Sequence, residues 1–382
     1  MFDSFIQFVR QEFQSEDFIA LHGPVFAGNE KKYLNECLDS TYVSSVGKFV
    51  DEFEKRVAEF VGSKYAVAAV NGTQALFLAL KLAGARPETE VISQALTFIA
   101  TANAISYTGA KPVFIDVDPD TLGLSPAALK KFLAGNVCLK NGKSFNRRTG
   151  REIIACLPMH TMGHPCRIDE IKAICQDYGL TLIEDAAESL GSFYQNQHTG
   201  TFGSMGVFSF NGNKIVTTGG GGMLVTDDQE LARRAKHLTT TAKIPHRWEF
   251  IHDQIGYNFR LPNINAALGV AQMEVLPQFL RSKRQLARQY HDFFNKRGVT
   301  FLLEPPHAAA NYWLNTIILK DQQERDAFLE YTNDRQVMTR ALWRPLPLLA
   351  MYQDCQTDAL EITRYMYERA VNIPSSVRKW IG

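Results

Sequence analysis

The sequence predicts an α/β protein with a mixed, mostly parallel sheet flanked by helices and a smaller C-terminal α+β domain. Between about Lys64 and Leu238, short apolar or β-branched runs alternate with segments of helical spacing. Such alternation is typical of a largely parallel sheet covered by helices. After Pro262 the pattern changes to one long helical segment followed by short, mixed elements. The change indicates a second, smaller unit.

Seven strands are predicted in the first part of the chain. They cover residues 65–70, 90–95, 111–118, 152–159, 180–187, 206–210 and 221–228. Helical spacing between them predicts helices at 74–83 and 169–178, each followed by a glycine that ends it. Because ligands of open α/β sheets bind outside the carboxyl ends of the strands, the residues that follow these runs are candidates for a site.

The C-terminal part begins with a helical pattern over 263–296 that we expect to be interrupted at Pro277. An apolar run at 312–320, a helix-like stretch at 325–331 and a short run near Val337 follow. We therefore predict a large α/β domain over 1–260, which includes the N-terminal segment, and a small α+β domain over 261–382. The polar, basic stretch 136–151 predicts a solvated hairpin inserted in the large domain.

The composition of the chain bears on whether the protein binds nucleic acid, a membrane or a metal ion. The 382 residues include 45% hydrophobic and 21% charged residues and carry a net charge of +1. This balance predicts a globular protein without a nucleic-acid partner or a membrane-surface helix. The N-terminus carries an early Asp3 among broken apolar residues, which fits neither a signal peptide nor a membrane span. The six cysteines form no CxxC pair, so we expect a cytoplasmic setting and no metal site.

The stretch VNGTQAL at 70–76 joins an apolar strand to a helix through Asn-Gly-Thr. The first amides of a helix are unpaired donors at the positive end of its dipole and attract phosphate. Gly72 allows close approach of the backbone, and the Thr73 hydroxyl adds a donor. Taken alone, the stretch favours an ordinary capped strand-to-helix turn without a ligand over a phosphate site.

A second candidate is the acidic end of the strand in LTLIEDAAESLGS, residues 180–192. The apolar run ends in Glu184 and Asp185. Charged side chains are rarely buried in a core without a partner, so two acids at this position are unusual. Asp185 could point into a ligand crevice. Aspartate is also a common helix N-cap, and the residue taken alone favours that interpretation.

Lys214 lies among small and polar residues in SFNGNKIVTTGGGG, residues 209–222. The order of residues excludes a P-loop. A phosphate-type turn, an acid at a strand end and a lysine, in this order, suit pyridoxal 5'-phosphate, which forms a Schiff base with lysine and needs a carboxylate at its ring nitrogen. The glycines at 219–222 would leave room beside that lysine, and they can at the same time form a tight entry to the next strand.

Five ordered motifs then carry a family resemblance: NGTQAL, ALTFIATANAI, EDAAESLGS, SFNGNKIVTTGGGG and GYNFRLPNINAALG. From about Leu21 to Pro345 the chain resembles the DegT/DnrJ/EryC1/StrS aminotransferases. The resemblance implies the type I fold of pyridoxal-phosphate enzymes and the transfer of an amino group to nucleotide-linked keto-sugars.

Three further stretches, 198–203, 239–260 and 339–346, resemble one branch of that family. The branch acts on UDP-linked 2-acetamido-4-keto-6-deoxy sugars, on routes to legionaminic acid or bacillosamine-type sugars. The resemblance therefore implies amino transfer from an amino acid, with glutamate expected, to the C4 ketone. The product would be a 4-amino sugar for surface glycan or nonulosonic acid biosynthesis.

Carried over residue by residue, the resemblance implies that Lys214 is the Schiff-base lysine and that Asp185 pairs with the pyridinium nitrogen. It places Gly72, Thr73 and Ser209 around the phosphate.

The resemblance also implies that Phe98 stacks on the cofactor ring. Asn258 would reach the phosphate of a neighbouring subunit, which implies a homodimer with shared sites. Glu188 would lie near the ring hydroxyl, where a carboxylate would repel a phenolate unless one of them is protonated.

Three alternatives remain open from the sequence. The enzyme could aminate C3 of the sugar. It could also dehydrate sugars, as do those family members in which histidine replaces the lysine. The presence of Lys214 disfavours dehydration. A third alternative is a cofactor-binding regulator without catalysis, against which the intact Lys214 and Asp185 weigh.

Overall fold

The computed structural model describes residues 1–378, so the last four residues of the predicted C-terminal domain lie outside the described part. The helices in residues 1–378 are α1 (Phe2–Phe13), α2 (Glu30–Ser40), α3 (Lys48–Val61), α4 (Gly72–Leu82), α5 (Ile99–Tyr107), α6 (Pro126–Asn136), α7 (Ile168–Asp177), α8 (Gln229–Thr239), α9 (Asn263–Asn295), α10 (Gln322–Asp334) and α11 (Glu361–Arg369). Two single 3₁₀ turns span Thr161–Gly163 and Leu346–Leu348.

The strands of the large sheet and its flank are β1 (Tyr65–Ala69), β2 (Thr89–Gln94), β3 (Lys111–Ile115), β4 (Val137–Lys140), β5 (Lys143–Asn146), β6 (Glu152–Leu157), β7 (Thr181–Asp185), β8 (Phe193–Tyr194), β9 (Gln197–His198), β10 (Met205–Ser209) and β11 (Gly222–Thr226). Later come β12 (Lys243–Ile244), β13 (Ile251–His252), β14 (Thr300–Phe301), β15 (Ala308–Ala309), β16 (Asn315–Ile318), β17 (Arg340–Ala341) and β18 (Ala370–Ile373).

The large sheet runs in the order β1-β11-β10-β7-β6-β2-β3. The pairs from β10 to β3 are all parallel, whereas β11 runs antiparallel to both of its neighbours, β1 and β10. This order uses all seven strands predicted from the sequence. The prediction of a mixed, mostly parallel sheet flanked by helices is confirmed.

The parallel direction of β1, β7 and β10 brings their carboxyl ends to one edge of the sheet. Beyond this edge lie the turn into α4, the carboxylate at the end of β7 and the loop after β10. Sheets of this kind bind ligands at this edge. The three stretches singled out in the sequence therefore meet although they are far apart in the chain.

The hairpin predicted at 136–151 is confirmed. Strands β4 and β5 pair antiparallel, with Lys140 opposite Lys143 beside an exposed tip. The base of the hairpin is anchored, because the side chain of Asn146 donates hydrogen bonds to Glu90 at 2.7 Å and to Gln356 at 2.8 Å.

Helix α9 continues through Pro277, and the expected interruption there was wrong. Proline in a helix interior costs about 3 kcal/mol. The first half of α9 packs its apolar face into the core of the large sheet, from Ala266 to Phe279. The second half packs into the C-terminal core, from Leu286 to Phe294. Burial at both ends stabilises one continuous helix, with Pro277 on its exposed side.

The C-terminal core is built on a four-stranded antiparallel sheet, β14-β16-β18-β17. Helix α1 belongs to this core, because Phe5 and Val9 pack among Tyr290, Phe294 and Phe328. The predicted division placed the N-terminal segment with the large domain, so the structure corrects it for α1. The physical reason is the apolar face of α1, which meets the aromatic side of α9. We keep the division near residue 260 as a proposal.

Three further features concern residues 1–378. None of their helices combines the length and the apolar character needed to cross a membrane. Their His, Cys, Asp and Glu side chains form no group of three suited to holding a metal ion. The six cysteines are free, and four of them are buried.

Candidate active site

A cavity of about 660 Å³ opens at the carboxyl edge of the large sheet. It is lined by residues from the sheet edge, the N-terminal segment and the C-terminal lobe. Seven of the eight predicted site residues line it: Gly72, Thr73, Phe98, Asp185, Glu188, Ser209 and Lys214. The eighth, Asn258, does not.

One end of the cavity has the form of an anion cradle. Asn71 caps α4, its side chain accepting the N–H of Gln74 at 2.9 Å. A Cβ on Gly72 would lie 3.0 Å from the Cβ of Ser209, so glycine permits the helix start to approach the end of β10. The open amides of the first helical turn, with the hydroxyls of Thr73 and Ser209 beside them, suit a phosphate.

Asp185 lies at the end of β7 with its carboxylate held in place. One oxygen accepts the hydroxyl of Thr101 at 2.7 Å, and the other accepts the backbone N–H of Ala187 at 3.2 Å. Burial raises the pKa of Asp185, and these hydrogen bonds oppose the rise. A cationic ring nitrogen beside the carboxylate would favour its charged form further.

Glu184, next to Asp185 in the sequence, has a different role. Alternation along a strand sends adjacent side chains to opposite faces of a sheet. Glu184 is fully buried and accepts three backbone N–H groups from the loop 200–203 at 2.6 to 2.8 Å. It also pairs with His160 at 2.9 Å. The buried carboxyl group therefore anchors a loop and does not line the cavity.

The loop that carries Lys214 joins the antiparallel strands β10 and β11. Its base is closed by two backbone hydrogen bonds, from Phe210 to Gly221 at 2.8 Å and from Thr218 to Phe210 at 2.9 Å. Residues 219–222 do not line the cavity. A Cβ on Gly222 would lie 2.4 Å from the carbonyl oxygen of Asn71. The close approach at Gly222 supports the tight entry to β11, and room beside the lysine remains a prediction.

The amine of Lys214 faces the cavity between an acid and an aromatic ring. Its Nζ lies 3.2 Å from an oxygen of Glu188 and 3.9 Å from the centroid of the Trp313 ring. The indole N–H of Trp313 donates to the carbonyl of Asn213 at 2.8 Å, which fixes the ring against the lysine loop. The lysine side chain is only 11% exposed.

Glu188 is fully enclosed at the same place. Its second oxygen accepts the backbone N–H of Met162 at 2.9 Å. Burial raises the pKa of Glu188 to about 7, although the nearby Lys214 lowers it. The carboxyl group can therefore exist in both protonation states near neutral pH.

The two remaining predicted residues differ in position. Phe98 is 46% exposed and, with Trp343 at 6.1 Å between ring centroids, forms an aromatic part of the cavity wall. Asn258 is exposed outside the cavity, where its side chain accepts a hydrogen bond from Arg260 at 3.1 Å.

Comparison with known proteins agrees with this geometry. The profile of the DegT/DnrJ/EryC1/StrS aminotransferase family matches residues 25–378. The chain belongs to this family. It is 37% identical to a GDP-perosamine synthase of Escherichia coli O157:H7, over 94% of this chain and 93% of that protein.

Solved aminotransferases share the fold. TlmJ from Streptoalloteichus hindustanus superposes with a TM-score of 0.85 at 28% identity, covering 94% of this chain and 93% of its own. Helicobacter pylori PseC, an aminotransferase involved in the biosynthesis of pseudoaminic acid, gives 0.84 at 26% identity, covering 94% of both chains. The protein is thus a pyridoxal-phosphate-dependent sugar aminotransferase, which takes a nucleotide sugar and an amino donor.

The residues of this DegT/DnrJ/EryC1/StrS chain fit its cofactor. The cavity offers an amine at Lys214, a held carboxylate at Asp185 and an anion cradle at the start of α4. An aldehyde, a basic ring nitrogen and a phosphate need these three groups.

Sequence reasoning missed part of the cavity wall of this aminotransferase. The missed side chains include His22, Trp313, Arg340 and Trp343. They come from the N-terminal segment and the C-terminal lobe, and only the fold brings them to the sheet edge. Arg340 and Trp343 lie within the stretch 339–346, which indicated a branch of the family but no position in the site.

Proposed function

We propose that this aminotransferase moves an amino group from glutamate to the C4 ketone of UDP-2-acetamido-2,6-dideoxy-hexos-4-ulose. The product would be a 4-amino sugar for surface glycan or nonulosonic acid biosynthesis, made in the cytoplasm. The observation that carries the proposal is the meeting of Lys214, Asp185 and the anion cradle in one cavity. The resemblance of three stretches to the UDP-sugar branch supports the acceptor.

In this proposal Asp185 holds the proton on the ring nitrogen of the cofactor, and Gly72, Thr73 and Ser209 bind its phosphate. When bound, pyridoxal phosphate supplies the carrier for the amino group and an electron sink for the carbon that loses its proton. The hydrogen bonds from Thr101 and Ala187 orient Asp185 for this task.

Lys214 has two tasks in the proposal. Its amine first holds the cofactor covalently and then, once released, moves protons as a general base. Trp313 confines this amine within the cavity wall. Glu188, whose pKa is about 7, would face the ring hydroxyl in its neutral form. A neutral carboxyl group donates a hydrogen bond there and removes the repulsion that a carboxylate would cause.

We also propose a homodimer with shared sites. Asn258 lies outside the cavity of its own chain and is exposed. The same segment, 239–260, exposes Trp248, Phe250 and Ile255 by 69%, 80% and 86%. Large apolar side chains clustered on a surface indicate an interaction site. A second copy would cover them and bring Asn258 to the phosphate of its neighbour.

A second candidate acceptor is a GDP-linked 4-keto-6-deoxyhexose. The GDP-perosamine synthase of Escherichia coli O157:H7, 37% identical to this chain, supports it. Both candidates share a 4-keto-6-deoxyhexose on a nucleoside diphosphate, and they differ in the nucleotide and in the acetamido group.

The experiment offers the purified enzyme each acceptor separately with ¹⁵N-glutamate and analyses the products by mass spectrometry. The proposal expects one ¹⁵N atom in the UDP-linked product and much slower conversion of the GDP-linked sugar. Preference for the GDP-linked sugar would establish the second candidate. Lys214→Ala serves as the control, because it keeps the cavity wall but lacks the amine. Labelled product from that variant would refute the catalytic assignment.

A further inference from the structure

His22 is a cavity residue without an assigned role. Its ring nitrogens are buried, and neither makes a hydrogen bond with any residue among 1–378. The backbone of Asn213 favours the protonated ring, but its carbonyl accepts the indole N–H of Trp313 at 2.8 Å and does not meet hydrogen-bond geometry with His22. Buried polar groups are normally paired, so an unpaired imidazole in a cavity wall calls for an explanation. A ligand in the cavity would supply the missing partner.

The backbone holds His22 in this position from both sides. Before it, Ile19 pairs with the C-terminal lobe through hydrogen bonds to Gln336 and Met338 at 2.8 and 2.9 Å. After it, Gly23 donates to the hydroxyl of Ser376 at 2.8 Å. The ring lies 6.4 Å from that of Trp313. His22 is therefore presented to the cavity by a fixed segment rather than by a free N-terminal arm.

The surroundings of His22 determine the kind of ligand group it suits. Burial, followed by the cations Lys283 and Lys214, lowers its pKa well below the ordinary value. A neutral imidazole offers one donor and one acceptor. This pair matches a hydroxyl or an acylamino group, each of which both donates and accepts. A donor carboxylate is better matched by the guanidinium of Arg340, which lines the cavity and can bind a carboxylate through two hydrogen bonds.

We propose that His22 is a specificity-determining residue that hydrogen-bonds a hydroxyl or acylamino substituent of the sugar acceptor and makes no contact with the amino-acid donor. This inference rests on the proposed function, since it requires a nucleotide sugar in the cavity. It assigns the two substrates to different polar groups of one site: the sugar to a neutral imidazole from the N-terminal segment, and the donor to the cationic groups.

The test separates the two half-reactions of the holoenzyme. The cofactor spectrum follows the reaction with glutamate, and product formation follows the reaction of the aminated enzyme with the UDP-linked sugar. His22→Leu should lower kcat/KM for the sugar by about 10- to 100-fold and leave the glutamate half-reaction within about twofold. His22→Gln, whose amide donates and accepts, should recover part of the loss.

A binding measurement adds a readout independent of turnover. Calorimetry compares the affinity of the aminated enzyme for the UDP-linked 4-amino product with its affinity for UDP alone. His22→Leu should weaken binding of the sugar nucleotide by about tenfold or more and leave UDP unchanged. Thermal unfolding of each variant shows whether it is folded.

Unchanged sugar kinetics in a folded His22→Leu enzyme would overturn the inference. An equal loss in both half-reactions would also overturn it, because it would indicate a proton-transfer role at Lys214. Failure of the proposed function looks different: the wild-type enzyme itself would aminate neither nucleotide sugar, and the inference would fall with it.

Discussion

At the scale of single residues, Asp185 shows how the surroundings of a side chain set its role. Two adjacent acids end the same strand, but only Asp185 lines the cavity, held by Thr101 and Ala187. Glu184 is closed off by backbone N–H groups on the other face. The two acids were visible in the sequence. Which of them faces the cavity depends on how the side chains of β7 alternate between the two faces of the sheet.

Asp185→Asn should keep the cofactor bound and lower turnover by about 100- to 1,000-fold. An amide cannot hold the ring proton by charge, while the phosphate cradle is untouched. Absorbance of bound cofactor and steady-state kinetics measure the two effects. Thr101→Val is the matched control: it removes one hydrogen bond to the carboxylate and should cost far less. Turnover near the wild-type level in Asp185→Asn would remove this residue from the mechanism.

Glu188 should make the stability of the cofactor-free protein depend on pH. Burial raises its pKa from 4.5 to about 7, so the folded protein binds more protons than the unfolded chain between these values. The free energy of unfolding should then fall as pH rises through this window, by at most about 3 kcal/mol. Glu188→Gln should abolish this fall, as measured by urea unfolding at a series of pH values.

Lys214→Met should change the pH dependence in the opposite direction from Glu188→Gln. Lys214 lowers the pKa of Glu188, so its removal should extend the fall in stability to higher pH. The same pH dependence in wild type and Glu188→Gln would show that another group causes it.

At the scale of elements, the start of β11 and the start of α4 depend on each other. A Cβ on Gly222 would meet the carbonyl of Asn71 at 2.4 Å and the backbone nitrogen of Gly72 at 2.7 Å. Gly222→Ala should therefore push the helix start out of place. We expect a loss of about 1–3 kcal/mol in stability and a weaker affinity for pyridoxal phosphate.

Gly135→Ala is the control for that substitution. Gly135 lies in α6, and an added Cβ would meet no atom within 4 Å. It should leave cofactor affinity unchanged and stabilise the helix by about 0.5–1 kcal/mol. Thermal unfolding and cofactor titration measure both variants. Wild-type cofactor affinity in Gly222→Ala would contradict the proposed coupling.

Some of the helices and strands could be predicted from the sequence, and others could not. The seven strands and the hairpin at 136–151 were predictable because their apolar and polar runs are local patterns. The continuity of α9 was not, because it depends on two cores that hold the helix on either side of Pro277. The placement of α1 was missed for a similar reason: its apolar face gave no sign of which core it would join.

At the scale of the whole molecule, the order of the strands creates the site. The sequence predicted the strands but not the insertion of β11 between β1 and β10, which brings the turn at Gly72 beside Ser209. Contiguous motifs identified the residues at the sheet edge. His22 and Trp313 lacked such motifs, because they reach the cavity through contacts with the other lobe.

The proposed homodimer predicts that two inactive variants restore activity when mixed. Lys214→Ala lacks the amine, and Asn258→Asp should repel the phosphate of the neighbouring subunit. A mixed dimer would carry one site with both lesions and one with neither, so part of the activity should return. The assay follows activity after subunit exchange, and size-exclusion chromatography with tagged chains confirms mixed dimers. No recovery in proven mixed dimers would place the action of Asn258 within its own chain.

The central claim is that Lys214 carries the cofactor, and peptide mapping after borohydride reduction tests it most directly. Reduction fixes the cofactor permanently on the lysine that holds it. Proteolysis and mass spectrometry then locate the added mass. The structure predicts a single modified peptide containing Lys214, and no modification in Lys214→Ala. A modified peptide at any other lysine, or an unchanged modification in Lys214→Ala, would contradict the account.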